Sequence, residues 1–250
     1  LEFLPEWKYD AYISYSTSDA TYSQQSFLTD KLTYASDAIA SGGGYDCAIN
    51  ATNPNEHCVP FPLLNAATVG GNLPQNFKDY IFRTVGGKTK YDETVFSVVF
   101  DGPLYQLPAG KLQGVLGLEH RQEKINDQPD PDSVAGNLYN LTSAAPTKGD
   151  DSVSEIYTEI EIPVLANVSM AKELTINGSY RYTDYDSYGS DDTYKIGFVY
   201  APVKWLSFRA TKGTSFRAPA LFEQFQGATT GFLSSSDDPC NGYDEGGVDA

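Results

Sequence analysis

The alternation of apolar and polar residues limits the possible folds of this chain more than any other feature. In KLQGVLGLEHR, Leu112, Leu116 and Leu118 fall on one side of an extended backbone, and Gln113 and Glu119 fall on the other. The same two-residue period recurs in SVSEIYTEIEIPV and in KELTINGSYRYTD. Successive side chains of a β-strand point to opposite faces, so this period predicts strands with one apolar and one polar face.

Seven segments of this kind are predicted to form an antiparallel meander, so the predicted fold class is all-β. The 18 Tyr and 13 Phe favour strands over helices. No apolar run reaches the ~18 residues that a transmembrane helix needs. The predicted strands span 6–19, 89–103, 110–125, 152–166, 172–187, 192–201 and 205–214.

The lengths of the connections favour a transmembrane β-barrel. Alternation alone also fits a β-sandwich with one face in water, which remains the alternative fold. Short connections such as ANVSMA and APVK alternate with the long segments 20–88 and 126–151. An antiparallel meander then carries its short turns at one end and its long loops at the other. Outer-membrane barrels have this arrangement, with short periplasmic turns and long extracellular loops.

A barrel places the two faces of each strand in different environments. The apolar face would contact outer-membrane lipid, and the polar face would line the lumen. The residues predicted to face the lumen are Glu155, Glu159, Arg181, Lys195 and Arg209. The series expected on one apolar surface is Leu112, Leu116, Leu118, Ile156, Ile160, Ile162, Leu174 and Ile176. The series expected opposite it is Lys111, Gln113, Glu155, Glu159, Glu173, Asn177 and Arg181.

Seven strands leave two open edges in a sheet. Bacterial single-chain barrels have even strand numbers, and an unpaired edge in lipid is costly. We therefore expect residues 1–250 to be a section of a larger barrel that forms no channel by itself.

The cysteines predict an oxidising compartment. Cys47 and Cys58 lie in the polar stretch YDCAINATNPNEHCVPF, which suits a disulfide in an exposed loop. We predict that these two residues are bonded to each other. Cys240 is left over, and we expect its partner to lie outside this chain.

Charge and motif composition exclude several classes of function. The net charge is −16 and no Lys/Arg cluster is present, so nucleic acid is not an expected partner. His57 and His120 have no catalytic partners in a known spacing, so no enzymatic activity and no cofactor are predicted. Asp127, Asp130 and Asp132 lack the spacing of a calcium loop and are interpreted as solvated charges.

The stretch WLSFRATKGTSFRAPALFEQF, residues 205–225, resembles the strand and FRAP-containing segment of TonB-dependent receptors. Weaker similarities follow the family in order along nearly the whole chain, including DGPLYQLPAGKLQGVLGLEHRQE and YRYTDYDSYGSDDTYKIGF. The resemblance implies a 22-stranded barrel in the bacterial outer membrane, filled by an N-terminal plug. The sequence shows no plug, no TonB box and no C-terminal aromatic strand, so a mid-barrel section is expected.

The function implied by the resemblance is active nutrient uptake. TonB would act through the plug of the intact receptor, and the nutrient would be an iron chelate, cobalamin, an oligosaccharide or a peptide. The alternatives are a secreted β-sandwich module that binds carbohydrate and a fragment of a glycoside hydrolase.

The FRAP-containing segment is interpreted as a structural latch at the barrel rim. Pro219 cannot continue a strand ladder, and Arg217 is expected to pair with Glu223 or with a lumen carboxylate. A direct role in substrate binding is the alternative, although aromatic clusters usually serve in packing. The residues of this rim motif are Phe216, Arg217, Ala218, Pro219, Glu223 and Phe225.

Overall fold

The structure is a computed structural model, and it describes residues 6–139, 144–229 and 234. Strands dominate it, with short helices in the connections. In chain order the elements are β1 (Lys8–Phe27), α1 (Thr29–Ser36), β2 (Ala38–Ser41), β3 (Gly44–Cys47), α2 (Ala48–Thr52), a 3-10 helix (Pro54–Glu56), α3 (Ala66–Val69), α4 (Gln75–Ile81), β4 (Phe82–Leu107), β5 (Gly110–Gln128), α5 (Pro131–Val134), β6 (Thr147–Val168), β7 (Ala171–Tyr185), β8 (Gly189–Val203), β9 (Leu206–Gly213) and α6 (Leu221–Phe225).

Seven of the strands form one sheet in the order β1-β4-β5-β6-β7-β8-β9. The predicted all-β meander of seven strands is therefore confirmed. β2 and β3 form a separate antiparallel pair, which the sequence did not predict. None of the described helices is long and apolar enough to cross a membrane.

Several strands extend beyond the predicted boundaries. β1 continues to Phe27 and β4 begins at Phe82, so the connection predicted as 20–88 is reduced to residues 28–81. The segment SDATYSQQSF at the end of β1 is almost entirely exposed and polar on both sides. Such a segment can pair in a sheet, but it has no apolar period from which a strand can be recognised.

The strand registers separate two faces. Ile162 lies opposite Ile176, which lies opposite Phe198, and the adjacent row joins Glu161 to Asn177. Directly opposed residues share a face of the sheet, so the apolar and polar series fall on opposite faces of β6, β7 and β8. The predicted facing is confirmed for these strands. The registers shift once in β6–β7, between Pro163 and Leu165, and once in β8–β9, between Tyr200 and Val203.

The contacts divide the chain into two units. We name Leu1–Asp19, Lys90–Asn126 and Lys148–Phe225 the strand unit. We name Ala20–Thr89, Asp127–Thr147 and Gln226–Ala250 the loop unit, of which only the described residues are discussed. Cys240 lies outside the described residues.

Buried apolar residues in the loop unit form a small core around the two cysteines. The buried members of this core are Ala35, Cys47, Cys58, Phe77 and Ile81.

Candidate functional site

The polar face of the strand unit carries a network of paired side chains. Arg181 donates to Glu155 at 2.8 Å, and the Thr183 hydroxyl donates to the same carboxylate at 2.8 Å. The Arg181 guanidinium also lies 4.7 Å from the ring centroid of Tyr157. The register explains these contacts, because Tyr157 is opposite Arg181 and Glu155 is opposite Thr183. The charges of Arg181 and Glu155 therefore neutralise each other within the sheet.

A cleft of about 510 Å³ opens on the same face. One row of its lining joins Glu159 to Ser179 and Lys195, and the next joins Glu161 to Asn177. The second row continues through Gly197 to Thr211, so small residues form much of the floor. Arg209 and Gln113 complete the polar part of the lining. The volume lies within the range of ligand pockets, about 300–1,000 Å³.

The charged side chains of this cleft form no ion pairs in the described part of the chain. Within residues 6–139, 144–229 and 234, no ion pair involves Glu159, Glu161, Lys195 or Arg209. Glu159 and Lys195 lie in one row but two strands apart, with backbones about 10 Å apart at about 4.8 Å per strand. The cleft thus presents carboxylates on β6 and cations on β8 and β9 to a polar occupant.

The rim motif folds back over the end of the strand unit at which β7 turns into β8. The Tyr188 hydroxyl donates to the Pro219 carbonyl at 2.9 Å, and the Phe216 and Tyr185 ring centroids lie 6.2 Å apart. Arg217 donates to both oxygens of Glu223, at 2.8 and 2.7 Å. Of the two partners considered for Arg217, the structure therefore selects Glu223.

The Glu223 carboxylate also organises the backbone of the motif. The Arg217 side chain and the backbone N–H of Ala220, at 2.9 Å, both donate to it and lower the pKa of Glu223. Leu221 is buried beside these exposed charges. The motif is thus fixed by one apolar anchor and one bidentate ion pair.

The Phe225 ring packs against Gly149 of β6 and positions the end of the rim motif. A Cβ atom at residue 149 would overlap the Phe225 ring. We expect Gly149→Ala to displace Phe225 and to make the segment after β9 more accessible to protease, with cleavage sites read by mass spectrometry. Gly178→Ala is the matched control, because its Cβ would meet Ile160 at an ordinary 3.5 Å. Equal cleavage in the two variants would contradict this seating.

A disulfide ties the loop unit together, as predicted. Cys47 and Cys58 are bonded, with their Cα atoms 5.9 Å apart. Asn50 fixes the second cysteine, since its amide donates to the Cys58 carbonyl and its oxygen accepts from the Cys58 N–H, both at 2.9 Å. The Phe61 and Phe77 rings meet edge to face with centroids 5.1 Å apart. The cross-link is therefore embedded in packed structure.

An ion pair joins α1 of the loop unit to the 3-10 helix. Lys31 pairs with Glu56, and the Tyr80 hydroxyl of α4 donates to the same carboxylate at 3.2 Å. The Lys31 ammonium also lies 5.1 Å from the Tyr80 ring centroid. The hydrogen bond from Lys31 lowers the pKa of Glu56, and partial burial opposes this effect without cancelling it.

Acid is expected to loosen this junction. Because the folded-state pKa of Glu56 is depressed, its stabilisation is present above the unfolded value of about 4.3 and is lost as the pH falls through the folded value. Hydrogen exchange of α1 and α4, corrected for intrinsic rates, should accelerate below about pH 4. Glu56→Gln should remove this step. Asp79→Asn, an exposed acid on α4 that accepts from Gln75, should leave it in place.

Two acidic residues of the second long connection are also engaged. Arg83 donates to both oxygens of Asp130, at 2.8 and 2.9 Å, and pairs with Asp132. Burial alone raises the pKa of Asp130, but the N–H groups of Asp132 and Gly86, together with Arg83, outweigh it and lower the pKa. Asp127 is buried and accepts a hydrogen bond from the Thr89 hydroxyl at 2.5 Å. The interpretation of Asp127, Asp130 and Asp132 as solvated charges is therefore wrong. No group of three or more metal-ligating side chains occurs in the described part of the chain.

Comparison with known families decides the class of the protein. The family model described as TonB dependent receptor-like, beta-barrel, matches residues 2–246. The chain belongs to this family. Searches of curated proteins and of solved structures found no significant match.

Membership assigns this TonB-dependent receptor barrel to outer-membrane receptors that serve transport. In the receptor barrel, the structure brings together Glu159, Lys195 and Arg209 in the cleft. It places Arg181 and Glu155 in the separate paired network. That all five face the lumen remains a prediction.

Sequence reasoning missed the long-range pairs of the receptor. Arg83 and Asp130 are 47 residues apart, and Lys31 and Glu56 are 25 apart. No local spacing signals such contacts. For Asp130 the only sequence hint is Pro131 after an acidic residue, the pattern of a helix N-terminus, and Asp130 does accept from the Asp132 N–H at 2.9 Å.

Proposed function

We propose that this barrel is part of an active transporter that imports a scarce nutrient across the outer membrane. The observation that carries the proposal is the separation of the sheet into an apolar face and a polar face with an open, charged cleft. A strand with this pattern suits a barrel wall, with lipid outside and a polar passage inside. The chain's membership of the receptor family supports the same placement.

We infer that the cleft lines the lumen. Glu159 and Glu161 on one side, and Lys195 and Arg209 on the other, offer charges of both signs that the sheet itself does not neutralise. Such a surface suits a polar occupant, either a plug segment or a passing nutrient. The nutrient classes proposed are an iron chelate, cobalamin, an oligosaccharide and a peptide, and TonB would act through the plug.

The orientation follows from the connections. The two-residue connections 108–109, 169–170 and 204–205 would face the periplasm, and the longer connections would be external. The rim motif then lies at the external end of the strand unit. We infer that it is a structural latch, since Arg217 and Glu223 satisfy each other and Phe216 and Phe225 are engaged in packing.

Uptake measurements test the proposal in cells that carry or lack the receptor. Labelled ferric chelate, cobalamin, maltodextrin and peptide would be supplied separately, with and without a protonophore. We expect receptor-dependent uptake of one class, abolished by the protonophore. A receptor that fractionates with the outer membrane but supports no protonophore-sensitive uptake would contradict active transport.

Reversing the charge of one residue in the cleft provides a second test of the proposal in the same uptake assay. Arg209→Glu should lower uptake, because it replaces one of the two cations of the cleft. Lys204→Glu, in the β8–β9 connection, is the matched control and should leave uptake unchanged. Equal uptake by both variants would show that the cleft is not part of the passage.

A further inference from the structure

The apolar face of the strand unit contains a groove across β7, β8 and β9. Its volume is about 340 Å³, and its walls are formed mainly by Ile176, Ile196 and Phe198. The register explains the opening. Phe198 lies between Ile176 and the small residue Ala210, and Ile196 has only Gly178 beside it on β7. Two small residues thus interrupt an otherwise bulky surface.

A lysine stands at one end of this groove, on the apolar face. Lys212 lies directly opposite Ile196, which shares the face of Phe198, and its side chain is exposed. Among the described residues it forms no ion pair, although the chain carries 33 acidic residues. A cation on the lipid side of a barrel costs about 2–4 kcal/mol at the midplane and about 0–1 near the interfaces. Lys212 is on β9, the edge strand of this sheet, and an anion that offsets this cost would come from outside the described residues.

Two tyrosines place Lys212 near one boundary of the apolar band. Tyr180 and Tyr194 lie opposite each other, one row beyond Ile196 and away from the β8–β9 connection. Rows on one face are about 7 Å apart, so the long lysine side chain can bring its ammonium level with these rings. Neither hydroxyl forms a hydrogen bond to another described residue. Tyrosines at such a boundary mark the headgroup region.

We propose that this surface binds a phosphate-bearing membrane lipid, with an acyl chain in the groove and the phosphate at Lys212, Tyr180 and Tyr194. The groove supplies apolar contact, and the ammonium and two phenol groups supply donors for an anionic oxygen. The charge of Lys212 selects an anionic headgroup over a neutral one. The inference rests on the proposed placement of this face in the outer membrane.

Native mass spectrometry of the purified full-length receptor tests the proposal. The probes are dioleoylphosphatidylglycerol and dioleoylphosphatidylcholine, offered separately at equal concentration. We expect Lys212→Gln to lower retention of phosphatidylglycerol about tenfold, the change expected for one lost hydrogen bond between charged groups. Lys204→Gln, with the same charge change in the same hairpin, should not change it. Ala210→Phe should lower retention of both lipids by filling the groove.

Three outcomes would overturn the lipid site. They are equal retention of the two lipids by the unaltered receptor, unchanged retention in Lys212→Gln, and displacement of phosphatidylglycerol by millimolar inorganic phosphate. The last would show a site for a free anion. Membrane fractionation of each variant is measured alongside. An unaltered receptor absent from the outer membrane would refute the proposed function, whereas a correctly placed receptor with unselective lipid binding would refute this inference alone.

Discussion

Ile162→Arg is expected to destabilise the barrel by about 2–4 kcal/mol, the cost of an arginine deep in the lipid-facing surface that we propose for the apolar face. Ile162 lies opposite Ile176 on the apolar face, between the Ile160–Gly178 and Leu165–Leu174 pairs. Glu161→Arg, at the adjacent residue, places the same side chain on the polar face. It should change stability by less than about 0.5 kcal/mol, as expected for a solvated substitution away from paired groups.

Urea unfolding in lipid vesicles, followed by circular dichroism, measures both variants. The pair is informative because the two residues are neighbours in sequence and the same arginine is introduced on opposite faces of the sheet. Equal losses of unfolding free energy would show that the two faces meet similar surroundings. That result would contradict the membrane placement of the apolar face.

Removing the disulfide is expected to destabilise the loop unit by about 3 kcal/mol, the loss of chain entropy restraint for a loop of this size. The cysteines are 11 residues apart, and both belong to the buried core that also contains Phe77. In Cys47→Ala with Cys58→Ala, hydrogen exchange of α1 and α4 should accelerate about a hundredfold.

Reduction of the unaltered protein provides the control for this prediction. The double alanine variant also leaves a small cavity, whereas the reduced protein keeps both sulfur atoms. Comparable acceleration in the two samples assigns the effect to the cross-link. Protection that persists in both would show that packing around Phe77 alone holds the loop unit.

The proposed function depends on which charged side chains form ion pairs within the chain and which do not. Arg181 with Glu155 and Arg217 with Glu223 are closed pairs, and they serve to fix side chains. The four charges of the cleft and the ammonium of Lys212 are unpaired within the described residues. We propose that the unpaired charges at these two places select a different partner for each face of the sheet, a polar occupant in the cleft and a lipid at Lys212.

The all-β fold class and the facing of the strands were determined by the sequence because both depend on local periodicity. The alternation through Ile156, Ile160 and Ile162 determined which residues share a face, since parity along a strand does not depend on its neighbours. The composition around Cys47 and Cys58 was enough to predict their bond.

Register and long-range contact were decided only by the tertiary structure. Parity assigns Lys212 to the apolar face, but only the pairing of β8 with β9, with its shift after Tyr200, places it opposite Ile196 and beside the groove. The cleft likewise exists because Glu161, Asn177 and Thr211 fall into one row across four strands. A one-residue shift in the register of any of these strands would move its side chain out of that row, because neighbouring side chains point to opposite faces. Such alignments are set by the summed pairing of whole strands, which no short stretch of sequence encodes.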